Sequence, residues 1–351
     1  MQLFTRKREI VGIDLGTTSL KLVQLKENKG AFTLANVGIM KLPPEAIVDN
    51  TIMDSSSIVE ALKNLLKSLG IKVKDAACSV SGNSVIIRKI SLPAMPPEEL
   101  DDQIHWEAEQ YIPFDINDVN IDFQLLEPSE QDPSKMNVLL VASKKDIIND
   151  YLTVFTEAGL RLVVVDVDSF AMQNTFELNY AVEPEEVAAL VNIGASIMNM
   201  DVVKEGVSLF TRDVQMGGNL FTEEIQKQFG ISGEEAERLK ITGDTNDPEL
   251  LQGIISRINE TLAMEIRRSL DFYNANAAEG KISRVFLSGG GAKTPQLAEA
   301  ISQRLGLPVD IIDPFNKITY SDKEFDPAYL REIGPLMAVA TGLALRRVGD
   351  K

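Results

Sequence analysis

Asp14-Leu15-Gly16-Thr17-Thr18-Ser19 places a carboxylate, a residue without a side chain and three hydroxyls in six consecutive positions. Glycine at a tight bend lets an anion approach backbone N–H groups that a Cβ would shield. Thr17, Thr18 and Ser19 add hydroxyl donors, so the segment suits a phosphate. Asp14, at the end of an apolar strand pattern, suits the water shell of Mg²⁺, which takes one or two carboxylates together with phosphate oxygens. Lys21 is near enough to lend a cation, although its strand position leaves its direction open. Taken alone, the segment is better read as an ordinary hairpin turn, where Asp, Gly and Thr abound.

A repeat tips that balance. Val191-Asn192-Ile193-Gly194-Ala195-Ser196 echoes Ile13-Asp14-Leu15-Gly16-Thr17-Thr18 at an offset of 178 positions, and the same offset brings Lys26-Glu27 onto Lys204-Glu205. Two halves that each begin with a strand, a glycine bend and a second strand indicate duplicated architecture facing a cleft. Gly194 and Ser196 then close on the phosphates from the opposite half. A third element, Val285-Phe286-Leu287-Ser288-Gly289-Gly290-Gly291-Ala292, is an apolar strand ending in three glycines before a helix. Backbone stripped of side chains in this way packs flat against a planar base or a phosphate. It lacks the Lys-Ser/Thr ending of a P-loop, and its place late in the chain argues against a dinucleotide fingerprint.

The elements that must position these residues alternate between strand and helix patterns throughout, which indicates an α/β architecture. Strands are expected over Ile10–Leu15, Ser19–Leu25, Val73–Val80 and Val85–Leu92, with an amphipathic helix over Ser55–Leu69 that Ser55 caps and Gly70 ends. A helix opened by Pro96-Pro97 runs to Gln110. The strands Ile121–Leu126 and Asn137–Ala142 flank a polar loop, Glu127–Lys135. The helix Lys144–Ala158, the strand Leu160–Val165 and the helix Phe170–Leu178 complete the first half. After a boundary at Glu183–Glu186 come strands Val187–Ile193, Ser196–Val203 and Gly206–Thr211. Gly217-Gly218 opens a helical stretch to Ala278, broken near Gly230–Gly233 and Thr242–Pro248. Strand Val285–Leu287, helix Gln296–Leu305, strand Val309–Ile312 and a small-residue helix from Pro335 to Leu345 close the chain.

Composition removes several function classes. The 351 residues suit two or three globular units. Thirty-five Lys plus Arg against 52 Asp plus Glu leave a net charge of −17, which repels nucleic acid. Cys78 is the single cysteine and His105 the single histidine, so an internal disulfide and a multi-histidine metal cage are excluded. The apolar run Ile333–Leu345 has 13 residues, short of the roughly 20 a membrane span needs. Arg6, Lys7 and Arg8 precede no apolar region of a secretory signal. A weak anchor on Leu3 and Phe4 competes with a frayed basic start, and a cytoplasmic location is expected.

The order of first phosphate hairpin, second phosphate hairpin, triple-glycine loop and small-residue terminal helix resembles the actin/Hsp70/sugar-kinase superfamily. Within it, four segments resemble the PilM family, the actin-like component of type IV pilus assembly. They are Ile13-Asp14-Leu15-Gly16, Leu92-Pro93-Ala94-Met95-Pro96, Glu107-Ala108-Glu109-Gln110-Tyr111-Ile112-Pro113-Phe114 and Val165-Asp166-Val167-Asp168-Ser169-Phe170-Ala171. The likeness runs from about Ile10 to Leu345. It implies an actin-like ATPase fold of two duplicated domains around a nucleotide cleft, with an FtsA-type inserted subdomain. Residues 1–80, 151–186 and 335–351 would form the first domain, 81–150 the insertion, and 187–334 the second domain.

The resemblance implies ATP and Mg²⁺ as ligands. Asp14, Gly16, Thr17 and Thr18, with Ser19 and Lys21 beside them, match the first phosphate loop, and Gly194 and Ser196 the second. Gly217 and Gly218 match a turn near the ribose. Glu265 and Arg268 match the helix touching adenine and ribose, and Gly289, Gly290 and Gly291 the adenosine loop. Ala171, Ala338, Ala340 and Gly342 match a close crossing of helices between the halves. Asn192 departs from the superfamily's usual Asp; it removes a negative charge and a water-orienting base, so slow or absent turnover is expected. Asp166 and Asp168 remain candidates to orient water, or to cap the following helix. The implied partner is the N-terminal tail of the inner-membrane protein PilN, lying as an extended peptide between the insertion and the main domain, near the apolar bend Ile112-Pro113-Phe114, with His105 and Trp106 close by. Motor ATPases are further implied partners, and self-association is open. An FtsA-type division protein and a small-molecule kinase are the alternatives. The first is disfavoured by the short polar ending Arg346–Lys351, the second by the want of an evident catalytic Asp in a sugar pocket.

Overall fold

Apolar runs separated by glycine turns fold back on themselves at the start of each half of the chain. A computed structural model describes residues 9–48, 50–126, 132, 134–181, 183–276 and 280–350, and the backbone alone at 97, 98, 101 and 276. The basic start with Leu3 and Phe4, most of the polar loop Glu127–Lys135 and Lys351 lie outside the described residues.

In chain order the first half comprises β1 (Ile10–Leu15), β2 (Ser19–Asn28), β3 (Ala31–Lys41), the short ribbon β4 (Ile47–Val48) and β5 (Thr51–Ile52), α1 (Ser55–Ser68), β6 (Asp75–Val80), β7 (Val85–Pro93), α2 (Pro97–Ala108), β8 (Val119–Leu125), β9 (Lys135–Lys144), α3 (Lys145–Glu157), β10 (Arg161–Val167) and α4 (Asp168–Asn179). The second comprises β11 (Val187–Ile193), β12 (Met198–Lys204), β13 (Val207–Val214), α5 (Asn219–Phe229), α6 (Gly233–Thr242), α7 (Pro248–Asn276), β14 (Ile282–Ser288), α8 (Leu297–Leu305), β15 (Val309–Ile311), α9 (Pro327–Ile333) and α10 (Ala338–Leu345). Strand β3 and helix α9 were not expected. In β3 a bulge opposite Gln24 and Leu25 interrupts the pairing, which blurs the two-residue alternation by which strands are read. Helix α1 is capped by Asp54, whose Oδ1 accepts the Ser57 N–H at 3.0 Å, and not by Ser55.

The two large sheets have one topology. The first runs β10-β6-β1-β2-β3 and the second β15-β14-β11-β12-β13, each with an antiparallel hairpin pair on one side and parallel strands on the other. The duplication is therefore structural, with one revision to the repeat. Lys29-Gly30 (φ 52° and 85°) turns β2 into β3, and Glu205-Gly206 (φ 48° and 77°) turns β12 into β13. The 178-residue offset holds through the bulges after Gln24 and after Val202, so Lys26 and Lys204 match in register; β2 then runs further before its turn, which leaves Glu27 in a strand and Glu205 in a turn.

Between β6 and α3 lies the insertion. Its sheet β7-β9-β8 packs on α2 through Ile90, Leu92, Leu100, Ile104, Ala108, Ile112, Val138 and Leu140. Helix α3 follows β9 directly, but Tyr151, Val154 and Phe155 bury into the core of the first lobe. The module's strands thus end at Lys144, short of the expected Asp150. Where the lobes join, α10 crosses α4 so tightly that a Cβ on Gly342 would fall 1.7 Å from the Ala171 carbonyl oxygen; α10 also presses on β1, where a Cβ on Gly12 would fall 2.2 Å from the Ala340 carbonyl oxygen. Small residues are a geometric necessity there.

Candidate functional site

The two glycine bends face each other. Thr17 Oγ1 lies 3.3 Å from Ser196 Oγ across the gap between lobes. One cleft is lined by Gly16, Thr17, Thr18 and Lys21 from the first bend, by Gly194, Ala195 and Ser196 from the second, and by Asp168 between them. Each bend is closed by its own backbone bond, Gly16 N–H to Ser19 O at 3.2 Å and Gly194 N–H to Ile197 O at 2.9 Å. The cleft holds about 70 Å³, well below the several hundred of a typical small-molecule site.

On the first lobe, Asp14 and Lys21 are cross-strand neighbours, and Lys21 Nζ sits 3.0 Å from Asp14 Oδ2. The direction of Lys21 is thereby settled: its ammonium lies over the bend, and a Cβ on Gly16 would fall 2.6 Å from it. Ser19, by contrast, begins β2 and is buried, so it is absent from the lining of the cleft. The donor set of one ammonium, the Thr17, Thr18 and Ser196 hydroxyls and a glycine that leaves the space open fits a phosphate chain. Of the carboxylates, Asp168 lines the cleft, whereas Asp14 is absent from the lining and paired to Lys21, so Asp168 suits a hydrated octahedral cation directly and Asp14 only through its water shell.

Asp166 and Asp168 part company. Residues two apart on a strand share a face, but β10 ends at Val167 and Asp168 already lies in α4, so the two point apart. Asp166, on β10, turns to the C-terminal Arg346 at 3.4 Å and accepts the Val167 N–H through Oδ1. It does not line the cleft, which corrects its expected role. Asp168, in the first turn of α4, lines the cleft and accepts the Ser79 hydroxyl at 2.5 Å. Neither caps α4 with its side chain. Burial, then the Asp14 charge, raises the Asp168 carboxyl to about 6, against the opposing hydrogen bonds from Ser79 and Ser81.

On the second lobe, Asn192 is tied at both ends. Its Nδ2 donates to Asn199 Oδ1 at 3.1 Å, and its Oδ1 accepts the Ser288 hydroxyl at 3.2 Å. Gly217 and Gly218 brace the second bend from behind: Gly218 N–H bonds Gly194 O at 2.9 Å, and a Cβ on Gly217 would fall 2.5 Å from that same oxygen. Asn219 Nδ2 then donates to Ser196 Oγ at 3.1 Å. Of the three loop glycines, Gly289 (φ 84°) and Gly291 are pressed on Ile193, each with a would-be Cβ 2.3 Å away, while Gly290 is exposed. Two of them thus serve packing first, and Gly290 alone presents open backbone. Glu265 on α7 pairs with Arg212 at 3.1 Å and more loosely with Arg268 at 3.8 Å, away from the residues lining the phosphate cleft.

Asn50, Ser79, Ser81 and Asn199 line the cleft without having been expected there. Asn199 was findable: it stands 178 positions after Lys21, at the repeat's own offset. The other three come from loops and strand ends with no motif. In the insertion, Ile112 is core and Phe114 is half-buried beneath Lys144, whose Nζ is 4.5 Å from the ring centre. His105 is exposed, as is Trp106, at 76%.

The family model described as "Type IV pilus assembly protein PilM" matches residues 12–348. The solved PilM–PilN type IV pilus biogenesis complex includes a chain 30% identical, with a TM-score of 0.89 over 98% of this chain and 100% of that one. The structure of MreB5 of Spiroplasma citri bound to ADP shares the fold, with a TM-score of 0.54 at 13% identity over 95% of this chain and 94% of that one. The cell division protein FtsA of Bacillus subtilis is 22% identical over 256 residues, 66% of this chain and 57% of the relative, so the match spans little more than half of that protein. The fold is that of the actin-like ATPases, and the chain belongs to the PilM family of type IV pilus assembly proteins.

Proposed function

We propose that this chain is a nucleotide-binding scaffold of type IV pilus assembly that holds ATP with Mg²⁺ between its two glycine bends and the N-terminal tail of PilN against its inserted module. The observation that carries the reading is the full-length likeness to the PilM of a PilM–PilN complex, joined to a cleft whose donors suit phosphate. Lys21, Thr17, Thr18 and Ser196 would hold the phosphate chain, and Asp14 and Asp168 the hydrated metal. Bound Mg²⁺ supplies charge neutralisation of the phosphates. Gly290 and the Glu265–Arg268 face of α7 are the proposed adenosine contacts. Turnover is slow in this reading, because Asn192 cannot act as a base and Asp168 is the only one of the two candidate carboxylates that lines the cleft.

No helix among the described residues is long and apolar enough to cross a membrane. Placement at the inner membrane is therefore assigned to the PilN tail, and contact with motor ATPases to the remaining surface. An extended peptide binds through backbone pairing and apolar pockets, and the exposed Trp106 is a suitable contact for one. The test is retention of the purified chain on an immobilised synthetic PilN N-terminal peptide. Retention that free peptide competes away is expected. Its absence at high peptide density would overturn the pilus assignment while leaving the nucleotide cleft standing.

A further inference from the structure

A row of polar side chains crosses the second sheet from one edge to the fourth of its five strands. Asp213 on β13 stands opposite Asn199 on β12, Asn199 opposite Asn192 on β11, and Asn192 opposite Ser288 on β14. Each is bonded to the next. Asn199 Nδ2 donates to Asp213 Oδ1 at 2.9 Å, Asn192 Nδ2 to Asn199 Oδ1 at 3.1 Å, and the Ser288 hydroxyl to Asn192 Oδ1 at 3.2 Å. The row leaves its own lobe at one end: the Gly82 backbone N–H donates to Asp213 Oδ2 at 2.5 Å. At the other end Gly289, the residue after Ser288, donates its N–H to Pro335 O at 2.7 Å.

Gly82 is the root of the inserted module, between β6 of the first lobe and β7. Its φ is 72°, and a Cβ there would fall 2.9 Å from Asn50 Nδ2 and 3.1 Å from Ile197 Cδ1, so the root is wedged between the lobes. Ser79, Val80 and Ser81, just before it, line the cleft, and Ser79 donates to Asp168. Asn50 Nδ2 holds the Ser81 carbonyl at 2.8 Å. The segment 79–82 therefore touches the cleft, the start of α4 and the second lobe within four residues, and then becomes the module.

We propose that Asp213 is a positioning residue that couples the cleft to the inserted module, by latching the module's root to the row of amides behind the second glycine bend. The two bends already touch across the cleft, Thr17 Oγ1 to Ser196 Oγ at 3.3 Å, so phosphates lodged between them part the lobes. Widening moves the second lobe against β6, and the Gly82–Asp213 bond either breaks or carries the root with it. In both cases the module's setting differs between the empty and the filled cleft. By linkage, a partner bound to the module changes nucleotide affinity by the same factor. The inference rests on the functional reading above, because it takes nucleotide and peptide as the two ligands.

The experiment measures PilN-peptide affinity with and without Mg-ADP, and hydrogen exchange of the segment 79–92, in the full chain and in Asp213→Ala and Asp213→Asn. Asn keeps the shape and one acceptor, so it remains informative if the alanine variant fails to fold. In the unaltered chain Mg-ADP is expected to shift peptide affinity about fivefold or more and to change exchange at the root. In Asp213→Ala the shift falls below about twofold and the root exchanges fast with or without nucleotide, while each ligand alone binds nearly as before; Asp213→Asn is intermediate. A full shift retained in both variants overturns the latch, as does an unaltered chain that binds both ligands with no mutual effect. An unaltered chain that binds neither ligand instead overturns the functional reading, and the coupling falls with it. The exchange of the root in the ligand-free variants separates these cases, since the Gly82–Asp213 bond exists without either ligand.

Discussion

The two glycine bends share a backbone and differ in charge. Asp14 and Lys21 on the first lobe occupy the same cross-strand positions as Asn192 and Asn199 on the second, at the repeat offset in both strands. The first pair is an ion pair at 3.0 Å and the second a neutral amide pair at 3.1 Å. Of the first pair Lys21 lines the cleft, and in the proposed reading a phosphate takes its ammonium while a hydrated cation takes the carboxylate it releases, at little net electrostatic loss. An amide pair whose oxygen and nitrogen are both engaged has no such exchange to make. The duplicated bends thus share a backbone, with a charged pair beneath one and a neutral, fully bonded pair beneath the other.

The sharpest way to break this comparison is to copy one lobe into the other. Asp14→Asn should weaken Mg-ATP binding about a hundredfold, near 2.7 kcal/mol, and remove its dependence on Mg²⁺ in a calorimetric titration. Asn192→Asp should change affinity by less than about fivefold. Equal effects at the two positions would show that the lobes are not divided in this way.

The next largest effect concerns the buried charge on the first-lobe side. Because the Asp168 carboxyl sits at about 6 when folded, against its ordinary 3.8, the folded chain binds that proton more tightly than the unfolded one. Its contribution to stability therefore falls as pH rises from about 4 to about 6 and stays unfavourable above, by roughly 2–3 kcal/mol. Asp168→Asn should gain on the unaltered chain by most of that amount between pH 4 and pH 7.5 in urea unfolding. A stability difference flat with pH would remove the buried charge from the account.

The smallest effect tests the bracing of the bends. Gly217→Ala drives a methyl into the backbone oxygens of Gly194 and Ala195, whereas Gly16→Ala meets the far end of the Lys21 side chain at 2.6 Å and a backbone oxygen, that of Ser19, only at 3.2 Å. The first should cost about 1–2 kcal/mol of stability by overpacking, and the second should stay within about 1 kcal/mol. Thermal melts of the two variants decide whether the second bend is the stiffer.

Much of this was legible before any coordinates. Glycine bends, apolar strands and helix stops are local signals, so β1, β2, β11, β12 and the loop at Gly289 were placed from their residues. Strand β3 was missed because its bulge shifts the alternation, and α9 because its seven residues are too few for a helical stripe. Asp166 and Asp168 looked equivalent in sequence. One position in a strand and one in the following helix turn sent the first to Arg346 and the second to the cleft.

What the sequence determined by itself is the set of bends and the chemistry they carry, because a glycine flanked by hydroxyls and a carboxylate works over a few residues. Which of those bends meet, and that Asp213 reaches the root of a module more than a hundred residues away, was decided only in three dimensions. Those contacts depend on how two sheets twist and pack about α4 and α10, and long-range packing leaves no mark on local spacing.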